Sequence, residues 1–219
     1  MKKLCLFPLM LCCMAMKPGL NTAGKHPQQK RTPTKSTTKT STRSTTAPAK
    51  EEVPKELQSF TDDGLQITRW QYGDLDADGN KRDALILLAD TQESEANFRD
   101  LTLKPRTVKV LIRSANGKLK EVLKNDHCLA AKEEGGASGI DPFGKFIIKH
   151  GDFTLAEQSG FGSLHSEIYT TFRYDGTRKW NLEKRTEIGY RDEKEIGKKT
   201  KTAKQIGKTD FEHYKPAQS

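Results

Sequence analysis

Cysteine is nearly absent from the body of this chain. Of the four cysteines, three lie within the first thirteen residues, and only Cys128 lies further along. A chain that loses its leader on processing keeps one thiol, which excludes an intramolecular disulfide from the mature domain. The stability of the folded part must therefore come from a hydrophobic core, helped by a bound metal ion if one is present.

Acidic residues are missing from the first fifty positions, so the net charge of +9 is concentrated at the N-terminal end of the chain. Residues 1–50 contain ten Lys or Arg and no acid, for +10, whereas residues 51–219 contain 28 basic and 29 acidic side chains, for −1. Because the part that can fold is nearly neutral, nucleic acid is not an expected partner. Residues 178–219 lean positive, with twelve basic and seven acidic side chains, and we interpret them as solvated.

Long hydrophobic runs are also missing, apart from one at the start of the chain. Two lysines precede an apolar run of thirteen residues, Leu4–Met16, which is shorter than the roughly 20 residues that span a bilayer. Residues 1–24 are therefore predicted to be a signal peptide, and the protein to be periplasmic, envelope-anchored or extracellular. A lipid-modified cysteine at Cys12 or Cys13 is the alternative, and it is the only membrane attachment that we expect.

Large apolar side chains are absent from residues 25–50, where eleven of 26 residues are Ser or Thr. Such a segment cannot bury enough surface to offset the entropy lost on ordering. We predict a disordered tether here, rich in Ser, Thr, Lys and Pro.

From Glu51 onward the hydrophobic pattern has a period of two, with frequent turn residues between the apolar runs. Asn116-Gly117, Gly151-Asp152 and Asp175-Gly176 each separate two such runs, which is typical of β-hairpins. The sequence predicts a mainly β antiparallel meander with little helix, arranged as a sandwich, an open barrel or a propeller-like sheet. The eight predicted strands are 65–72, 83–89, 107–113, 118–123, 145–150, 153–158, 167–174 and 179–188.

We place the β-rich domain at residues 51–190 and a charged C-terminal tail at 191–219. The tail lacks a regular apolar pattern, so we expect it to be irregular. Phe211, Tyr214 and Pro216 are the residues expected to dock part of it back onto the domain.

The most informative motif is an acidic loop in which Asp74, Asp76 and Asp78 occupy alternate positions before a glycine and an apolar strand. Three carboxylates in one turn repel each other without a cation, and calcium prefers six to eight oxygen ligands. We predict a structural calcium site here. Asn80 supplies its backbone carbonyl in this prediction, and Asp83 closes the shell. The loop is not an EF-hand, because position 12 is Leu85 rather than Glu. A metal-free Asp-Gly-rich hairpin is the alternative.

This loop resembles the calcium loops of FG-GAP and VCBS-type repeats, in which Asp-x-Asp-x-Asp-Gly leads into an apolar strand. The closing Asp of that family usually comes one residue earlier than Asp83. More widely, the chain is similar to a family of uncharacterised bacterial exported proteins, over most of residues 60–216. Members carry paired cysteines where this chain has only Cys128. The resemblance implies an envelope location and no established activity. The residues that carry it are 73–88, 124–126, 139–144, 169–174 and 207–211.

Two other functions remain open. An envelope hydrolase would use Cys128, Ser138 and His165, although no local nucleophile signature surrounds them. A carbohydrate-binding module would need an exposed aromatic strip, for which the candidates are Trp70, Tyr72, Phe172 and Trp180. We expect a non-catalytic exported β-domain of the cell envelope, with an envelope glycan or protein as its partner.

Overall fold

The computed structural model describes residues 52–93, 104–132 and 141–216, within a compact unit that extends from Lys50 to Ser219. These residues form strands joined mostly by tight turns, with two single-turn helices. The elements are α1 (Lys55–Gln58), β1 (Leu65–Gly73), β2 (Asp83–Asp90), β3 (Thr107–Arg113), β4 (Leu119–Asn125), β5 (Phe143–Lys149), β6 (Asp152–Phe161), β7 (Leu164–Tyr174), β8 (Trp180–Arg191), β9 (Lys194–Thr202) and α2 (Ala203–Ile206). No helix among them is long and apolar enough to cross a bilayer.

The strands form two antiparallel sheets in simple meander order. One sheet has the order β1-β2-β3-β4, and the other has the order β5-β6-β7-β8-β9. The prediction of a mainly β antiparallel meander is confirmed. Of the three arrangements left open, the two sheets are consistent with a β-sandwich, because side chains from both contribute to one buried cluster.

Strand β2 shows how the hydrophobic pattern positions the sheets. All eight of its residues are buried, so both of its faces are covered. Leu85 and Leu87 point into the core between the sheets. Ile86 and Leu88 point to a second cluster on the opposite face, which Leu57 of α1 helps to cover. A continuous apolar run is what a strand buried on both faces requires.

The core between the sheets is rich in aromatic side chains. The ring of Phe153 stacks on that of Phe172 with a centroid distance of 5.2 Å. Phe211 approaches Phe153 edge-on at 5.1 Å, and Tyr214 approaches Phe172 edge-on at 5.2 Å. Phe211 and Tyr214 are thus buried in the core, and the Asn125 side-chain amide donates a hydrogen bond to the backbone carbonyl of each.

The structure differs from the sequence-based expectation beyond Arg191. We expected an irregular tail, but Lys194–Thr202 forms the ninth strand and pairs with β8 from Arg191 back to Lys184. Every residue of β9 is exposed. The strand therefore forms through backbone hydrogen bonds to its neighbour and not through burial of an apolar face, which is why the sequence pattern did not predict it.

Candidate metal centre

The acidic loop between β1 and β2 is shaped by its own side chains. The Asp76 carboxylate accepts a hydrogen bond from the Asp78 backbone N–H at 3.3 Å, and Asp78 accepts one from Asn80 at 2.6 Å. The Asn80 amide oxygen then accepts from the Arg82 N–H at 3.1 Å. Gly79 adopts a φ of +87°, which glycine tolerates without strain. Polar side chains at every second position therefore fold the loop locally.

This turn brings four carboxylates together. Each offers one oxygen, and all four oxygens lie within 4.8 Å of one another. Oxygens that bind one calcium ion at about 2.3–2.6 Å are at most about 5 Å apart, so the cluster has the dimensions of a single cation site. Asn80 is predicted to offer its backbone carbonyl, which stays a prediction; its side-chain oxygen accepts a hydrogen bond inside the loop. The four clustered residues are Asp74, Asp76, Asp78 and Asp83.

Asp74 is one of the two buried carboxylates of the cluster. Its side chain is only 6% exposed. One carboxylate oxygen, Oδ2, accepts from the Gly79 N–H at 3.2 Å and lies 2.6 Å from Nδ1 of His150. The other oxygen, Oδ1, is buried and has no hydrogen-bond partner in the part of the chain that is described. A buried carboxylate oxygen without a partner is costly, and a cation would satisfy it.

Asp83 joins the loop to the first sheet. Its Oδ2 accepts from the Leu75 N–H at 3.0 Å, and its Oδ1 accepts from the Arg113 N–H at 2.8 Å. The side chain is buried, with 1% exposure. Asp83 therefore holds together the loop, β2 and β3 in addition to offering a ligand oxygen.

Burial and mutual repulsion raise the pKa of two carboxylates in the cluster. Burial raises the pKa of Asp83, and the neighbouring charges of Asp76 and Asp78 raise it further, although two backbone N–H groups act in the opposite direction. Burial is also the main cause that raises the pKa of Asp76, with the charges of Asp78 and Asp74 adding to it. A bound divalent cation would reverse this effect by favouring the ionised carboxylates.

The loop is also packed against the second sheet, which the sequence did not indicate. The indole N–H of Trp180 donates to the Leu75 carbonyl at 2.9 Å, inside the core. The Gly151 N–H donates to the Asp74 carbonyl, also at 2.9 Å. The loop therefore lies between the two sheets instead of merely closing one hairpin.

His150, beside Gly151 in the β5–β6 turn, is a further side chain that contacts the cluster, through Asp74. It lies 76 positions from Asp74, and no local signal links the two residues. Only the packing of the β5–β6 turn on the loop brings them together.

A small cavity lies next to one member of the cluster. Its volume is about 230 Å³, and it lies beside Asp76, between the β3–β4 hairpin and the start of β8. Lys120, Tyr174 and Arg178 are among the residues that line it.

The candidate hydrolase residues are placed differently. Cys128 is completely buried, and its thiol donates to the Asn125 carbonyl at 3.8 Å. Burial, with the nearby Glu157 charge, holds the pKa of this thiol well above its usual value, so the nucleophilic thiolate is disfavoured. His165 stacks instead on Tyr190, with a centroid distance of 5.1 Å. Ser138 lies outside the described residues.

The four candidate aromatic residues do not form an exposed strip. Phe172 and Trp180 are fully buried in the core between the sheets. Trp70 and Tyr72 are half-buried and pack against the second cluster, where the Tyr72 hydroxyl donates to Glu56 at 2.8 Å. These side chains therefore act in packing.

Comparison with known proteins adds no relative: no protein-family model matches this chain, and no curated protein or solved structure is significantly similar to it.

Proposed function

We propose that this protein is a non-catalytic, exported β-domain of the cell envelope whose acidic loop binds one structural calcium ion. The unpartnered and buried Oδ1 of Asp74, next to three further carboxylates, is the observation that carries the proposal. The N-terminal pattern of residues 1–24 and the tether at 25–50 support export. An envelope glycan or protein is the proposed class of partner.

The position of the loop explains why the ion is structural in this proposal. Leu75, inside the loop, is completely buried and bonded to Trp180 of the second sheet. Asp83 ties the same loop to β3. An ion held by Asp74, Asp76, Asp78 and Asp83 would stiffen the loop that joins the two sheets. It would stabilise the folded state because the unfolded chain has no comparable site.

Thermal unfolding with and without calcium tests this proposal. At a free calcium concentration of 100 Kd, binding adds about 2.7 kcal/mol to the free energy of unfolding. For a chain of this size, that raises Tm by roughly 5–10 °C. Replacing Asp74→Asn together with Asp78→Asn should abolish the shift, because it removes two of the four charged ligands.

A matched control is the pair Asp192→Asn and Glu193→Gln in the β8–β9 turn. It removes two exposed acidic charges far along the chain from the loop and should keep the full calcium shift. If calcium leaves Tm unchanged, and elemental analysis finds no calcium in the purified protein, the calcium site is rejected.

Export is tested separately by cell fractionation of the full chain and of a variant without residues 1–24. The full chain should be recovered in the envelope, periplasmic or extracellular fraction, and the truncated chain in the cytoplasm. Recovery of the full chain in the cytoplasm would contradict the proposed location without affecting the calcium measurement.

A further inference from the structure

The inner face of the five-stranded sheet continues past the buried core. Along β7, Phe172 and Thr170 lie on this face and are fully buried. Leu164 lies on the same face, since side chains alternate along a strand, but 52% of it is exposed. It is paired with Arg191 of β8, which is paired in turn with Lys194 of β9. This end of the sheet therefore extends past the core, and the residues that the structure describes leave its inner face largely exposed at Leu164.

Strand β9 extends the same face with basic residues. Lys199 pairs with Glu187 of β8, which pairs with the inward-pointing Ile168 of β7. In the same way, Lys201 pairs with Arg185, which pairs with Thr170. Ile196 lies over Gly189, with its Cγ1 3.5 Å from where a Cβ of that glycine would stand. We call this surface the basic face. The residues that give it its charge and its apolar contacts are Leu164, Arg191, Lys194, Ile196, Lys199 and Lys201. Glu187 lies on the same face, where it forms an ion pair with Arg185.

The charge of this region is opposite to that of the rest of the domain. Residues 194–208 contain six lysines and one Glu, for +5. The remainder of 51–219 therefore contains 22 basic and 28 acidic side chains, for −6. None of the six lysines forms an ion pair with a described residue. Their charge is free to attract an anionic partner.

Exposed apolar side chains occur in the same region. Among the described residues, three large hydrophobic side chains are exposed: Leu164 at 52%, Ile196 at 55% and Ile206 at 37%. Two belong to the basic face, and the third is in α2, directly after β9. Lysines mixed with exposed aliphatic residues are typical of surfaces that lie in the interface of an anionic bilayer.

We propose that the basic face docks on the surface of an anionic lipid bilayer. The lysines meet the phosphate headgroups, and Leu164 and Ile196 enter the boundary between headgroups and acyl chains. A soluble polyanion would use the lysines but would leave these aliphatic side chains in water. The acidic turn Asp192–Glu193 stands at the tip of the β8–β9 hairpin, so the face lies flat on the bilayer instead of inserting tip-first.

Lysine footprinting on the full chain tests this surface directly. Vesicles of phosphatidylcholine with and without phosphatidylglycerol are added, free lysines are acetylated, and each site is read by mass spectrometry. Lys199 and Lys201 should be protected by the anionic vesicles and not by phosphatidylcholine alone. Lys118 and Lys120, in and beside β4, serve as internal references and should be modified equally in both. The site-specific readout separates this face from the basic residues 1–50.

Two sets of variants separate charge from apolar contact. Replacing Lys194, Lys199 and Lys201 with Gln should lower the affinity for anionic vesicles by about tenfold or more. The matched triple replacement of Lys118, Lys120 and Lys124 with Gln should leave it unchanged. Ile196→Ser should also weaken binding, without a change of charge. All of these side chains are exposed, and unchanged Tm values will show that the variants fold.

Two results would overturn the proposal. One is vesicle binding of the full chain with no protection of Lys199 and Lys201. The other is equal protection by double-stranded DNA together with no effect of Ile196→Ser, which would identify a general polyanion surface. Calcium is omitted throughout, so failure here does not bear on the metal site.

Discussion

The acidic loop at 74–83 and strand β9 both concentrate charge of one sign, but they do so in opposite surroundings. In the loop, four carboxylates lie within 4.8 Å, and Asp74 and Asp83 are buried. Along β9 the lysines are spread at about 3.3 Å per residue on alternate faces, and all of them are exposed. Exposed like charges repel only weakly because water has a high dielectric constant, whereas buried charges interact more strongly and are screened much less by salt. Charge repulsion should therefore cost stability in the loop unless a cation is bound there, whereas it should cost little along β9.

The two regions also differ in how many contacts they make with the rest of the domain. The loop contacts both sheets through Leu75, Asp83 and Trp180. Strand β9 pairs with β8 alone and buries no side chain. Changes in the loop should therefore affect stability, whereas changes on β9 should affect binding and leave stability nearly the same.

The largest expected difference in stability between the two regions comes from shortening one apolar side chain in each. Leu75→Ala removes a completely buried side chain and should lower the free energy of unfolding by about 2–5 kcal/mol. Ile196→Ala shortens a side chain that is 55% exposed, and the change should stay within about 0.5 kcal/mol. Urea denaturation of the two variants measures both values, and similar losses would contradict the contrast.

A second prediction concerns Glu157 of β6, an acidic residue that pairs with Ile168 on the inner face of the five-stranded sheet. Burial raises its pKa to about 7, although the charges of Arg185 and Arg106 act in the opposite direction. A carboxyl whose pKa is higher in the folded state favours folding while it is protonated, and this contribution is lost as the pH rises from about 4.5 to about 7.

Glu157→Gln should therefore have little effect near pH 4 and should stabilise the protein by about 2–3 kcal/mol near pH 8. Denaturation curves across this pH range measure the difference. A constant difference at all pH values would show that Glu157 does not titrate in this way. Asp152→Asn, on the same strand but ion-paired to Arg173, serves as a control.

A smaller effect is expected from single hydrogen bonds. Trp180→Phe removes the N–H that donates to the Leu75 carbonyl and leaves that carbonyl unpaired in the core, at a cost of about 1–3 kcal/mol. Tyr190→Phe removes a hydrogen bond to Glu167 of 3.3 Å at the projecting end of the sheet. Its cost should be below about 0.5 kcal/mol. The difference in Tm between the two variants tests whether the loop is anchored as described.

Much of the architecture was predictable because it depends on local patterns. The eight predicted strands all correspond to observed strands, with ends that differ by at most a few residues. Asn116-Gly117 does connect β3 and β4, since its residues suit a tight turn. Strand β9 was not predicted, because an exposed strand held by backbone pairing has no hydrophobic period to detect.

The candidate site was predictable only in part. The four carboxylates are close in sequence: Asp74, Asp76, Asp78 and Asp83. Polar side chains at alternate positions fold the loop locally by accepting hydrogen bonds from its own backbone. His150 and Trp180 belong to the other sheet, so no local spacing could place them beside it. The burial of one Asp74 oxygen without a partner is likewise a result of packing between sheets.

Local chemistry along the chain thus accounts for the β-class fold, the turn positions and the gathering of four carboxylates in one loop. Packing accounts for the rest: which sheet the loop touches, which carboxylate oxygen is buried, and where the five-stranded sheet projects from the core. The reason is that periodicity and turn chemistry act between neighbours in sequence. Burial and charge proximity depend on contacts between residues far apart in the chain.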